Sequence, residues 1–203
     1  MNMVLKELSR ISLLALSLVM WSCDDLGQST APETLEPEGA AVFNHATSPT
    51  LSGTSFVFPG RIEPLVNAVS GSAVFTNSGG TISVGAHELV VPPRAVRLPT
   101  LFTFTVEPGS ELVVDLSAYE QDSSGAWTVE VGSKGFKKDV VLNLDFKEVR
   151  RSVPDPTKLV VLWLKQSSTT GEVVPTPSEV DTNRKWVKAR LSHFSDYGLA
   201  WPE

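Results

Sequence analysis

The side chains able to do chemistry in this chain are few and scattered. His193 and Ser195, separated only by Phe194, set a hydroxyl two residues from a group that titrates near neutral pH. A serine becomes a nucleophile when a nearby base takes its proton, and His193 is the one such base close in sequence. Acyl transfer at this point also needs a strained peptide and donors aimed at the developing oxyanion, which a sequence does not display. The alternative is a strand corner, with Phe194 buried, Ser195 and Asp196 bonding the turn's backbone, and His193 capping a loop. The three histidines, His45, His87 and His193, lie far apart, and the single cysteine, Cys23, has no second thiol to pair with. No metal site and no internal disulfide are therefore expected. His87, beside Glu88, reads as a surface or edge residue of a strand. Asp115, Asp139 and Asp145 read as carboxylates on solvated strand faces, and no two are assigned as acid and base. With no P-loop, no glycine-rich phosphate motif and no Gly-x-Ser-x-Gly elbow, no cofactor is expected.

The placement of Cys23 gives it a use. Lys6 and Arg10 make the start basic, Ile11 to Ser22 runs apolar with only serines interrupting, and the run stops at the cysteine. A basic start, a short apolar run and a small residue before the cut describe a secretory signal over residues 1–22, cleaved between Ser22 and Cys23. The run is shorter than the roughly 18 apolar residues of a membrane span. Met20-Trp21-Ser22-Cys23 also resembles the lipobox of bacterial lipoproteins, in which the cysteine carries diacylglycerol and becomes the mature N-terminus, commonly with a further acyl chain such as palmitate. Met20 substitutes for the family's leucine, whereas Trp21 stands where a small residue is usual. The competing reading is an ordinary signal cut elsewhere, with Cys23 incidental. Two or more acyl chains hold a protein on a membrane stably. The resemblance thus implies an exported protein, lipid-anchored to the bacterial cell envelope. Asp24 resembles an inner-membrane retention signal of some Gram-negative bacteria, and inner and outer membrane both stay open.

Without residues 1–22 the chain keeps 15 basic against 22 acidic residues, a net charge of −7. That sign argues against nucleic acid as a partner. Residues 23–50 lack hydrophobic periodicity and carry Asp24, Asp25, Glu33, Glu36, Glu38, Pro32 and Pro37, the composition of a disordered, solvated linker after the lipidated N-terminus.

From about residue 51 the texture changes to short apolar runs cut by turn residues. Runs at 81–84, 87–92, 101–107, 111–117, 127–131, 139–146, 158–165, 185–191 and 197–201 read as strands. Val140, Leu142, Leu144 and Phe146 alternate onto one face. Val187, Ala189 and Leu191 fall opposite Trp186, Lys188 and Arg190, which predicts one solvated face. Gly79-Gly80, Pro92-Pro93, Pro108-Gly109, Ser124-Gly125 and Pro154-Asp155-Pro156 mark the connections. Short strands without helical spacers predict an all-β antiparallel β-sandwich. Residues 51–78 read as an N-terminal extension that supplies one or two edge strands or a folded addition.

Gly79-Gly80-Thr81-Ile82-Ser83-Val84, followed by His87 to Val91 and Pro92-Pro93-Arg94-Ala95-Val96, resembles the opening of the ZU-five domain. That β-sandwich module occurs in ankyrins, netrin receptors, the zonula occludens scaffold and bacterial exported proteins. The family pattern ends in Pro-Pro-Gly-Ala, so Arg94 replaces a glycine. Gly135 to Leu142 resembles the strand entering the family's central sheet, with Asp139 where proline is common. The likeness covers about 79–201, and hence the domain 79–203. It implies a ZU-five type sandwich acting as a structural or protein-interaction module with an unidentified envelope protein. In some relatives His-Phe-Ser marks self-cleavage, so the resemblance also implies a candidate autoproteolytic role for His193, Phe194 and Ser195. There the serine attacks the phenylalanine carbonyl, an N-to-O acyl shift gives an ester, and water hydrolyses it.

The tryptophans open a third reading, a glycan-binding sandwich, since aromatic rings on a sheet face make contact surfaces. Trp163 sits in the apolar run 159–164 and reads as core, as does Trp201 on the last strand. Trp127 and Trp186 are the candidate surface aromatic contacts. No oligomeric state follows from these residues.

Overall fold

A computed structural model of the protein describes residues 50–51, 54–165 and 172–203. The signal sequence, the Ser22–Cys23 cleavage point and the linker lie outside the described residues. Within them the chain is all-β, built from sixteen strands and no α-helix. The first eight strands are β1 (Thr50–Leu51), β2 (Thr54–Val57), β3 (Gly60–Leu65), β4 (Val69–Phe75), β5 (Gly80–Val84), β6 (His87–Val91), β7 (Thr100–Val106) and β8 (Gly109–Glu111). There follow β9 (Val113–Gln121), β10 (Trp127–Glu130), β11 (Val140–Asp145), β12 (Val160–Leu164), β13 (Val173–Pro175), β14 (Ser178–Asp181), β15 (Trp186–Leu191) and β16 (Asp196–Pro202).

All pairings are antiparallel. The larger sheet runs β1-β2-β16-β9-β7-β4, with β10 added to β9 and the β12–β13 pair added to β16. The second sheet has five strands in the order β14-β15-β11-β6-β5, and β3 pairs with β8 apart from both. The inward faces of the two larger sheets meet in one apolar core, a sandwich-like arrangement. Strand alternation produces this directly. Val140, Leu142, Leu144 and Phe146 are fully buried, as are Val187, Ala189 and Leu191 on the neighbouring strand. Removing these branched side chains from water supplies the main stabilisation of each strand, about 1.5–3 kcal/mol for each large one.

Three details differ from the sequence expectation. The run 111–117 is two elements, because Leu112 turns its side chain into the core and separates β8 from β9. The run 158–165 starts as strand only at Val160, because Asp155 Oδ1 accepts from the Thr157 amide and hydroxyl and holds a short 3-10 turn over Pro156–Lys158. Residues 51–78 supply the expected edges but more strands than one or two. β4 forms one edge of the larger sheet through a seven-pair ladder with β7, β1 and β2 form the other beside the end of β16, and β3 pairs with β8.

The Gly79-Gly80 pair has a steric cause. Gly79 takes φ +71° and a Cβ there would lie 2.2 Å from the Val91 carbonyl oxygen, while a Cβ on Gly80 would lie 2.2 Å from the Phe75 ring. The turn Pro92–Ala95 closes with the Ala95 amide donating to the Pro92 carbonyl at 3.2 Å, and its third residue, Arg94, has φ +69°. Proline second and a left-handed third residue define a type II turn, which favours glycine at the place Arg94 occupies.

Candidate functional site

The His193-Phe194-Ser195 corner sits between β15 and β16. Phe194 is 4% exposed and packs edge-on against Phe136 and Phe102, with ring centroids 4.7 and 5.6 Å away. Its amide donates to the Gly132 carbonyl at 2.9 Å, and the Ser195 carbonyl accepts from the Leu116 amide at 3.2 Å. The buried Tyr197 hydroxyl donates to the His193 carbonyl at 2.8 Å, and burial holds that phenol well above its ordinary range. His193 packs edge-on against Trp163, 4.3 Å between centroids, and its Nδ1 lies 3.3 Å from Ser192 Oγ. Its Nε2 is buried without a hydrogen-bond partner, and desolvation lowers the imidazole pKa, disfavouring the charged form.

The imidazole Nδ1 engages Ser192, and Nε2 is left without a partner. Left-handed backbone at non-glycine positions occurs at Arg94 and Lys185, and neither Phe194 nor Ser195 is among them. The corner is a hydrogen-bonded, aromatic-packed junction, with an open depression of about 670 Å3 in front of it that Lys134, Lys137 and Trp163 help to line.

Several polar residues stand elsewhere than the sequence indicated. His87 is 3% exposed, not a surface residue, because it lies in phase with Leu89 and Val91. Its Nδ1 accepts from the Asp145 amide at 3.0 Å, which places the proton of neutral imidazole on Nε2. Burial lowers its pKa, against the opposing charges of Glu148 and Asp145. Asp145 is buried too, its carboxylate accepting from the Lys147 amide and pairing with Lys147 Nζ at 3.0 Å. Asp115 is not a freely solvated carboxylate. β9 and β16 set it opposite Asp196, and a hydrogen bond joins the two side chains. Burial first, then the charge of Asp196, raises the Asp115 pKa to about 6, so the pair keeps a proton well above the ordinary carboxylate range and loses it through about pH 6. Among the described residues no cluster of His, Cys, Asp and Glu has metal-binding geometry.

Of the tryptophans, Trp163 and Trp201 are half-buried and pack on the core edge, where full burial of Trp163 was expected. The reason is its outward-leaning place beside His193 and under Lys165 Nζ, 5.1 Å from the ring. Trp127 is half-buried on β10. Trp186 is half-buried on the outer face of the five-stranded sheet, as the alternation of β15 predicts.

That outer face carries ordered rows of polar side chains. Register sets Ser83, Glu88, Asn143, Lys188 and Glu179 in one row across all five strands, and Asp145, Trp186 and Asp181 in the next. Two depressions flank Trp186 and share it with Arg184. One, of about 280 Å3, is lined by Val90, Val141, Asn143, Glu179, Asp181 and Lys188. The other, of about 490 Å3, is lined by Ser83, Gly85, Ala86, Glu88, Asp145 and Lys147. The Arg184 guanidinium carbon lies 5.8 Å from the Trp186 ring, while its Nε is 3.8 Å from Asp181. Asn143 is only 7% exposed, yet no hydrogen bond reaches its side-chain amide among the described residues. The sequence signal of Asn143 is an amide at the outward phase of β11, between Val141 and Asp145. The chain matches no protein-family model and no curated protein sequence.

Proposed function

We propose that this chain is an exported bacterial lipoprotein, anchored in the cell envelope through Cys23, whose ZU-five-like β-sandwich is a non-enzymatic structural and interaction module. The acidic stretch after Cys23 spaces the fold from the lipid surface. The family reading is supported by the turn at Pro92–Ala95, where Arg94 adopts the left-handed backbone natural to the glycine of the family pattern. It is also supported by the tight packing that makes Gly79-Gly80 obligatory.

The observation that carries the interaction reading is the open outer face of the five-stranded sheet, where Trp186 stands between two depressions and Asn143 lacks a protein partner. Site-specific photo-cross-linking in living cells tests it. A probe at Arg190, on that face, is expected to give discrete adducts, and one at Ser72, outward on β4, is not. Equal labelling from both positions sinks the assignment. Anchoring is checked by membrane fractionation, with Cys23→Ala released to the soluble fraction. Denatured intact mass beside Ser195→Ala checks the non-enzymatic reading. Loss of Ser195–Glu203 from the wild type alone would overturn it in favour of self-processing.

A further inference from the structure

We propose that the Asn143 depression binds one ring of a neutral glycan, stacked against Trp186, with the neighbouring depression receiving the next ring along. This deepens the interaction reading above and rests on it.

The chemistry of the lining selects the ligand class. Carboxylates at Glu179 and Asp181 stand beside cations at Arg184 and Lys188, so the face offers no single-sign field for a charged ligand. The Asn143 amide has no protein partner and opens on the depression, so a ligand able both to donate to it and to accept from it can engage both of its ends. Sugar hydroxyls and acetamido groups do both. Val90, Val141 and Trp186 supply apolar lining suited to the C–H face of a pyranose chair. Its volume, about 280 Å3, stands near the lower end of small-ligand pockets, as befits a single ring.

A peptide adding itself as a strand is excluded at this place. Asn143 lies on β11, whose two edges are already paired with β6 and β15. The two depressions meet at Trp186 and Arg184 and extend across the strands, a path that suits a linear polymer over an isolated monosaccharide.

The test is tryptophan-fluorescence and calorimetric titration of the full-length protein in detergent with chitohexaose and, separately, cellohexaose. The expected result is saturable binding of at least one of them, with the acetamido-bearing sugar preferred if Asn143 reads that group. Trp186→Ala should abolish binding, and Asn143→Leu should weaken it by about tenfold, the loss of one good polar contact. Trp127→Ala should leave it unchanged, and unchanged thermal unfolding shows that each variant is folded. Lys188→Ala, at a half-buried position, serves if Asn143→Leu does not fold, with several-fold weakening expected. Failure of both hexasaccharides to bind overturns the proposal, as does binding that survives Trp186→Ala. If neither sugar binds while the Arg190 cross-link persists, the face is an interaction surface for another class of partner, and only the glycan inference falls.

Discussion

The outer faces of the two larger sheets are treated in opposite ways. On the nine-stranded sheet the chain covers its own face over β9, β12 and β16, while β4 stays exposed. Phe56, Phe58 and Val173 pack over Val113, Leu162, Leu164 and Ala200 as a second apolar cluster. Gly198 makes room for this cover, since a Cβ there would lie 2.5 Å from the Phe58 ring. On the five-stranded sheet the outward positions are Glu88, Asn143, Lys188 and Glu179, and the described residues leave depressions there. The contrast is already present in two strands. β12 is apolar at consecutive positions, Val160 to Leu164, because both of its faces are buried, whereas β15 alternates strictly. A face on which outward polar residues persist is one that the chain's own covering segments leave to solvent.

The largest expected effect breaks the covered face. Leu162→Ala, fully buried there, should cost about 3 kcal/mol in urea unfolding, from lost transfer energy and the cavity left behind. Next comes the carboxyl pair on the same face. Folding raises the Asp115 pKa from 3.8 to about 6, so the folded state binds more protons than the unfolded state across that interval. Stability therefore falls as pH rises through it. Asp115→Asn should stabilise the protein above pH 6 by about 1–2 kcal/mol, after allowing for solvent screening of a partly exposed group, and the gain should vanish below about pH 4. A flat difference across pH would show that no shared proton is present.

Smaller effects sharpen the contrast at its margins. Arg94→Gly, in the turn that carries the chain from the open sheet to the covered one, should stabilise by about 0.5–1 kcal/mol through relief of left-handed backbone. Destabilisation would mean that the Arg94 side chain contributes more than its backbone costs. Lys188→Ala, on the open face, should change stability by less than about 0.5 kcal/mol. A cost comparable to that of Leu162→Ala would abolish the distinction between the two faces.

The strands and their phases were legible because burial of one face imposes a period of two on the sequence. That rule placed Val140 to Phe146 and Trp186 to Leu191 correctly. It also puts His87 in phase with Leu89 and Val91, although the polar character of imidazole points to the surface. What was not legible depends on register between distant segments. Asp115 meets Asp196 only because β9 and β16 pair, and no local pattern in either strand announces it. The same holds for the corner. The types His, Phe and Ser permit acyl transfer, while the packing of His193 comes from Trp163 of β12 and the burial of Phe194 from Phe102, Phe136 and the Gly132 turn. Asn143 was visible as an amide in an apolar strand, but its missing partner is a property of the assembled sheet.

The placement of β16 has a consequence for biosynthesis. This strand lies between β12 on one side and β9 and β2 on the other, yet it follows all three in the chain. A growing polypeptide therefore exposes the apolar residues of β9 and β12 with their central neighbour still unmade. Chains stalled or clipped before Asp196 would present two unsatisfied strand edges side by side, a template for aggregation. Closure of the sheet therefore waits on delivery of Asp196–Pro202, the last strand of the chain.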